Sequence, residues 1–450
     1  MTQMPILLPD VPAPGAPRAF RFPAIEHGGE AGAQLRAVHL PGRPLARLMV
    51  VADGGTWTEP DSAWGAAALL SRAFQRGAAG LGVHDLAVAF ERLGASPSFG
   101  AGTDDAEAYI TVPPALVGDA AALLAEVVRR PTLAESDILE VRATLVDEHV
   151  TAMTEPATKA DRALLSAVWD PMCRLSVGSS GTEATVAAIE PEVLRGFHAS
   201  RWRQVPLTVI VVGDLTVIDA PAVARRFAGA GDATRTQPQV AASGAARRIL
   251  VVDVAGAAQS QVAFGRPGPA HGHADAEALD VALSAATGSF SSRLNTRLRE
   301  ELGYTYGVRA TMTRWRDTGL FSSSFSVRTD VTADALRETL AVLDGAIDGG
   351  LDDDEIVQAR ANLVERIPVG LDSPDAITTA VARLVVLDLP DDHHEQRLAR
   401  LRDVDTSAAN AALRQHVATN DLQLVVVGDA DAIVDDLRNL DLAPVDVIEA

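Results

Sequence analysis

The sequence predicts an α+β protein built from two duplicated halves. The run Leu207 to Asp214 (LTVIVVGD) returns as Leu422 to Asp429 (LQLVVVGD), 215 residues on (207 to 422). The helical run Asp61 to Arg76 returns as Asp275 to Thr287 at almost the same offset, 214 residues (61 to 275). A period of this length describes a duplicated domain rather than a solenoid repeat. Chain length agrees: a single core stops growing near roughly 250–300 residues, and this chain has 450.

The elements follow in order. Ala46 to Ala52 reads as a strand, and Asp61 to Arg76 (DSAWGAAALLSRAFQR) as a helix with an N-cap at Asp61 or Ser62. Ile138 to Thr151 continues the helical pattern. The amphipathic stretch Pro191 to Trp202 leads into LTVIVVGD, an apolar run of buried-strand type closed by a Gly-Asp turn signal. Ala228 to Gly244 is small, polar and interrupted by Gly and Pro, which marks a linker. The second half repeats the plan: a strand at Ser260 to Phe264, a helix at Asp275 to Thr287, an amphipathic stretch at Ser407 to Val417, and LQLVVVGD. The division expected is a first half over 15–227, a linker over 228–246 and a second half over 247–440. Each half is expected to hold two α/β lobes, four in all, with the acidic tail after Leu437 peripheral.

Composition removes several function classes. The net charge of −21 argues against nucleic acid, which a basic stripe would serve, and against an anionic membrane surface. Lys159 is the only lysine. Aromatic residues make up only 4%, so the cores must be built from Ala, Val and Leu. Cys173 is the sole cysteine, which excludes an internal disulfide; beside Met172 it reads as a small core hydrophobe. The N-terminal MTQMPILLPDVPAPGAPRAF lacks the basic and apolar regions of a signal peptide, and no 18-residue apolar run offers a membrane span. A cytoplasmic protein is expected.

The stretch Ser291 to Val308 (SSRLNTRLREELGYTYGV) carries the most chemistry. Leu294, Leu298 and Leu302 fall at i, i+4 and i+8 and give a helix one apolar face. Gly303 can end that helix, and Tyr304, Thr305, Tyr306 and Val308 favour a strand. Arg299 at the helix end and Tyr306 on the strand could then converge on one point. Both donate hydrogen bonds of the kind that hold a carbonyl or a developing oxyanion. Tyr304 is the fallback, since alternate strand residues share a face.

Other motifs are missing. There is no HExxH, HxxEH, G-x-S-x-G, Walker A loop or spaced Gly-x-Gly-x-x-Gly. His271 and His273 form an H-x-H in a Gly-rich loop, and His393 and His394 follow Asp391 and Asp392. Neither pair has a second ligand pair at metal-site spacing, so solvated loop histidines are the expectation. Glu148 and His149 read as part of a charged helix face.

From about Ala24 to Val427 the chain resembles the inverzincin metallopeptidases of the pitrilysin, insulinase and mitochondrial processing peptidase type, in their short-chain branch. The strongest match is SSRLNTRLREELGYTYGV, which places Arg299 and Tyr306 on the family's substrate-binding Arg and Tyr. A second run agrees: Gly181-Thr182 before a helix, Trp202, then a strand closed by Gly213-Asp214. In active members a first-half helix carries HxxEH, two His binding zinc and the Glu activating water, with a later Glu completing the site. Here the corresponding positions are Ala68, Leu69, Leu70, Ser71 and Arg72, and the third-ligand position falls near Val141. The resemblance therefore implies no zinc and no metal ligand in this chain.

Some members of that family divide the work between two chains. The resemblance implies that this chain is the non-zinc subunit of a heterodimeric zinc metallopeptidase and forms half of a clamshell. A homologous HxxEH-containing partner would supply zinc, and Arg299 and Tyr306 would bind the carbonyl of an unfolded peptide substrate. The alternative is a catalytically inert structural or assembly pseudopeptidase subunit.

Overall fold

The structure, a computed structural model, describes residues 20–30, 32–203, 205–229 and 239–449. The expected start of the first half at 15, the N-terminal stretch up to Ala19 and the middle of the expected linker, 230–238, lie outside the described residues.

Two six-stranded sheets organise the chain. The first is built from β1 (Ile25–Glu30), β2 (Ala33–His39), β3 (Ala46–Asp53), β6 (Ser98–Ala101), β7 (Asp105–Val112) and β8 (Leu207–Gly213). Between them lies a two-residue hairpin of β4 (Gly77–Ala78) and β5 (Leu81–Gly82). The second sheet uses β9 (Arg248–Asp253), β10 (Gln259–Gly268), β11 (Arg309–Arg314), β12 (Gly319–Arg328), β13 (Gln423–Gly428) and β14 (Val445–Glu449). The spatial orders are β1-β2-β8-β3-β7-β6 and β14-β9-β13-β10-β12-β11.

Read in these directions the sheets match strand for strand. The pairs β2–β8 and β9–β13 are parallel, and the next three pairs in each sheet are antiparallel. The duplication read from LTVIVVGD and LQLVVVGD is thus a duplication of topology. The halves part at one edge. There β1 pairs with β2 antiparallel as the chain enters, whereas β14 pairs with β9 parallel as the chain ends. The acidic tail expected to be peripheral supplies this edge strand.

The matched runs are central strands, and all their residues are buried. Strands covered on both faces read as continuous apolar runs. Alternate residues point to opposite faces. Val209 and Val211 join the core on one side of the first sheet, and Ile210 and Val212 join the core on the other. In the second sheet Leu424 and Val426 face one core, and Val425 and Val427 the opposite one.

The second face of each sheet is covered by a helix from the other half. The helix Pro156–Val168 sets Ala160, Leu164 and Val168 against Leu250, Val252, Ala263, Val425 and Val427 of the second sheet. The helix Pro374–Val386 sets Ile377, Ala380, Val381 and Val386 against Val38, Met49, Val51, Ile210 and Val212 of the first. Both helices have 13 residues and begin with proline. Each fully buried Leu, Ile or Val contributes about 1.5–3 kcal/mol relative to exposure, so the halves are joined by their cores. The expected two α/β lobes within each half resolve into one sheet per half, cored on both faces.

The expected linker is partly structured: Ala242 bridges to Trp169, and the Ser243 amide donates to the Val168 carbonyl. The helix expected from Asp61 begins at Ala66 instead, with Gly65 as its N-cap at φ 107°. Glu59 replaces the expected Asp61 or Ser62 cap by accepting from the Gly65 and Ala67 amides at 3.0 and 2.8 Å. A Cβ at Gly65 would meet Val186 Cγ2 at 2.7 Å and the Ser180 carbonyl at 2.8 Å.

Candidate functional site

The helix Ala66–Ala73 packs against the helix Glu135–Ala152, and the five motif positions lie on it. Leu69 and Leu70 are buried in the first core. Ser71 donates its hydroxyl to the Ala67 carbonyl at 2.8 Å. Arg72 turns outward and pairs with Glu148, Nη2 to Oε2 at 2.6 Å. One turn on, Arg76 pairs with Glu140 at 2.5 Å and lies 3.9 Å from Asp137. The residue facing position 72 across the helix pair is therefore Glu148. Val141, expected near that place, is buried in the core.

These residues do not fit zinc. Position 68 carries a methyl group, position 71 a hydroxyl spent on its own helix, and position 72 a cation already paired with the nearby carboxylate. No zinc chemistry is assigned to this chain. Beside the ion pairs lies a cavity of about 440 Å³ lined by Phe74, Leu86, Phe90 and Phe99 among others.

His149, expected on a charged face, is buried. Arg162 donates to its Nδ1 at 3.0 Å, which leaves Nε2 to donate to the Ser180 carbonyl at 3.1 Å. Burial, then the Arg162 charge, holds its pKa below the ordinary histidine value. Cys173 is buried in the core under the Pro156–Val168 helix, as a small hydrophobe would be.

The Ser291–Val308 stretch is helical over Arg293–Asn295 and widens to a π-helix over Thr296–Glu301. Leu294 and Leu298 are buried in the second core, and Gly303 has φ 63°, as a helix-ending residue should. The expected strand at Tyr304 to Val308 does not form; β11 begins at Arg309. Asn295 explains why. Its Oδ1 accepts from the Val308 amide at 2.7 Å and its Nδ2 donates to the Val308 carbonyl at 3.2 Å. A side chain thus takes both backbone groups that a neighbouring strand would need.

Without that strand, Tyr304 and Tyr306 do not share a pleat. Tyr304 packs partly buried against the second core, whereas Tyr306 is 100% exposed. Arg299 lies with its guanidinium 4.0 Å from the centre of the exposed Phe290 ring and 3.5 Å from Glu300. No hydrogen bond joins Arg299 to Tyr306 among the described residues. Both stand at the approach to β11, which among the described residues pairs with β12 alone.

The fold collects the histidines that the sequence left scattered. His271 and His393 lie 5.7 Å apart between ring centres, and His393 and His394 also 5.7 Å. His273 meets His416 at 4.8 Å. With Asp275, which accepts from His416 Nε2 at 2.9 Å, these two form a group whose ligand atoms all lie within 4.8 Å of one another. It could hold a divalent cation. Its members come from the start of one helix and the end of another, so linear spacing concealed the group.

Two duplicated sheets, cored on both faces, with a helix pair bearing ion pairs at the motif positions, define a metallopeptidase-like fold. Solved structures share it. A peptidase M16 inactive domain from Pseudomonas fluorescens superposes with a TM-score of 0.81 at 22% identity, over 90% of this chain and 98% of that one. A protease from Helicobacter pylori gives 0.82 at 18%, over 91% and 100%. The family model described as the peptidase M16 inactive domain matches residues 188–363. An uncharacterized zinc protease of Mycobacterium tuberculosis is 25% identical over 316 residues, 68% of this chain and 70% of its own length. One of Streptomyces coelicolor is 28% identical over 211 residues, 45% of this chain and 46% of that protein. The chain is thus similar to M16 zinc proteases over much of its length, shares the fold of solved M16 structures, and matches the inactive-domain model over 188–363. No helix among the described residues is long and apolar enough to cross a membrane.

Proposed function

We propose that this chain is the non-zinc subunit of a heterodimeric, cytoplasmic zinc metallopeptidase. A homologous HxxEH-bearing partner supplies zinc, water and general base. Arg299 and Tyr306 reach across the space between the subunits and hold the carbonyl of an unfolded peptide. One observation carries this reading. The helix that should hold metal is closed by the Arg72–Glu148 pair, while Tyr306 is fully exposed three residues before the free edge of β11. That edge can take a substrate strand by β-augmentation.

A second reading has its own support. Arg299 already rests on the Phe290 ring and beside Glu300, as it would in a chain kept only for assembly. Co-expression with an HxxEH-bearing homologue and cleavage of an unfolded peptide separate the two. Loss of one oxyanion donor typically costs about 10²–10³ in rate. Arg299→Ala and Tyr306→Phe should lower kcat by that order while the complex stays intact. Unchanged rates in an intact complex would leave the inert assembly subunit as the function.

A further inference from the structure

A cavity of about 520 Å³ opens where the exchanged helix Pro374–Val386 meets the second half's own helices, Ala276–Leu283 and His393–Asp403. Four arginines and two carboxylates line it. Asp280 pairs with Arg314 at 2.7 Å and with Arg397 at 2.9 Å, and Glu277 pairs with Arg400 at 2.8 Å. Arg383 is left over. It lines the cavity, is accessible to solvent, and has no hydrogen bond or ion pair of its side chain among the described residues. Two carboxylates against four guanidiniums leave a local charge of +2 inside a chain whose net charge is −21.

The neutral donors point the same way. His271 and His393 line the cavity, and among the described residues their rings make no hydrogen bond and buried His394 Nε2 has no partner. A neutral imidazole both donates and accepts, so it can meet a hydroxyl as well as an oxyanion. The space is far larger than an inorganic ion needs and lies in the range of small-molecule sites.

We propose that this cavity binds a small organic oxyanion of one or two negative charges, a phosphoryl or carboxylate compound, with Arg383 as its charge partner and His271 and His393 as hydrogen-bonding walls. The overall negative field repels anions, so affinity must come from these local groups. The site is independent of the peptidase reading and of Arg299 and Tyr306.

Calorimetric titration of the full chain at neutral pH and low ionic strength tests it, with inorganic phosphate, glucose 6-phosphate, succinate and uncharged glucose as probes. Saturable binding of at least one of the three anions is expected, with Kd tighter than about 1 mM, and glucose should give none. A preference for glucose 6-phosphate over succinate assigns a phosphoryl ligand, and the reverse a carboxylate. Charge-assisted hydrogen bonds contribute enough that Arg383→Gln should weaken binding by about tenfold or more. Arg383→Lys should recover part of the loss. Should Arg383→Gln fail to fold, His393→Leu in the same cavity gives the same reading with a smaller loss. Absence of binding by all three anions overturns the proposal, as does an affinity unchanged by both substitutions.

Discussion

Replacing Arg174 by Met should destabilise the chain by about 3–5 kcal/mol at neutral pH, the usual result of removing one partner of a buried ion pair. The geometry sets this size. Arg174 Nε lies 2.6 Å from Glu59 Oε2, and the two side chains are only 7% and 0% exposed. With the guanidinium gone, Glu59 keeps the Gly65 and Ala67 amides but loses the counter-charge that Arg174 supplies. The carbonyls of Gly178 and Ser179 lose their donors as well. Burial already raises the Glu59 pKa above the ordinary 4.5, against the lowering effect of Arg174. A carboxyl with a raised folded pKa favours the folded state below its unfolded pKa, and that stability is lost as pH rises through the folded value. Removing Arg174 lifts the folded value further, so the destabilisation should be smallest near pH 4.5 and grow towards neutral pH. Urea unfolding of wild type, Arg174→Met and the double variant Glu59→Gln/Arg174→Met, at both pH values, reads the effect. The double variant should regain much of the loss at neutral pH. An equal loss at both pH values, with no recovery in the double variant, would show that the buried Glu59 charge is not what Arg174 balances.

Other outcomes follow from the same structure. Arg72→Ala should change stability by no more than about 1 kcal/mol, because both partners of the Arg72–Glu148 pair are near half-exposed; urea unfolding checks this. Leu164→Ala, in the core under the exchanged helix, should cost about 2–5 kcal/mol, and a loss under 1 kcal/mol would mean that the helix is not held by that core. Burial, aided by the charges of Glu107, Asp104 and Asp53, pushes the Asp105 carboxyl from 3.8 up to about 7. Its stabilising contribution, present below pH 3.8, is lost as pH rises through 7, so Asp105→Asn should be more stable than wild type at pH 8 and lose that advantage near pH 4. Finally, Glu148 stands opposite position 72. The triple variant Ala68→His, Ser71→Glu, Arg72→His should bind zinc, measured by metal analysis after dialysis. Zinc content no higher than in the wild type would show that the helix pair is not arranged as a metal site.

The repeat was legible because it is written in strand cores. LTVIVVGD and LQLVVVGD are apolar on both faces, and only a doubly covered central strand needs that pattern. What covered the second face was not legible. The amphipathic pattern of Pro156–Val168 states that one face is buried, but not on which sheet, and the answer lies in the other half. The stretch at Tyr304 to Val308 misled for a related reason. Tyr, Thr and Val favour strands, yet Asn295, far enough back to escape a local reading, takes both backbone groups of Val308. That Ala68 to Arg72 spell no HxxEH was plain in sequence, whereas the interhelical ion pairs beside them needed the crossing of two helices. The histidine-lined cavity was hidden because His271 and His393 meet only after the chain folds back.

The two reciprocal helices also bear on the order in which the chain can fold. During synthesis the helix Pro156–Val168 leaves the ribosome long before β9, β10 and β13, the surface that buries it. Until those strands exist, Ala160, Leu164 and Val168 face water, and the first sheet lacks the cover that Pro374–Val386 provides. The first half therefore cannot complete its core alone, and a chain interrupted in the second half leaves one apolar sheet face and one apolar helix face open. Such surfaces recruit chaperones or aggregate. Each half therefore needs the other to finish its core.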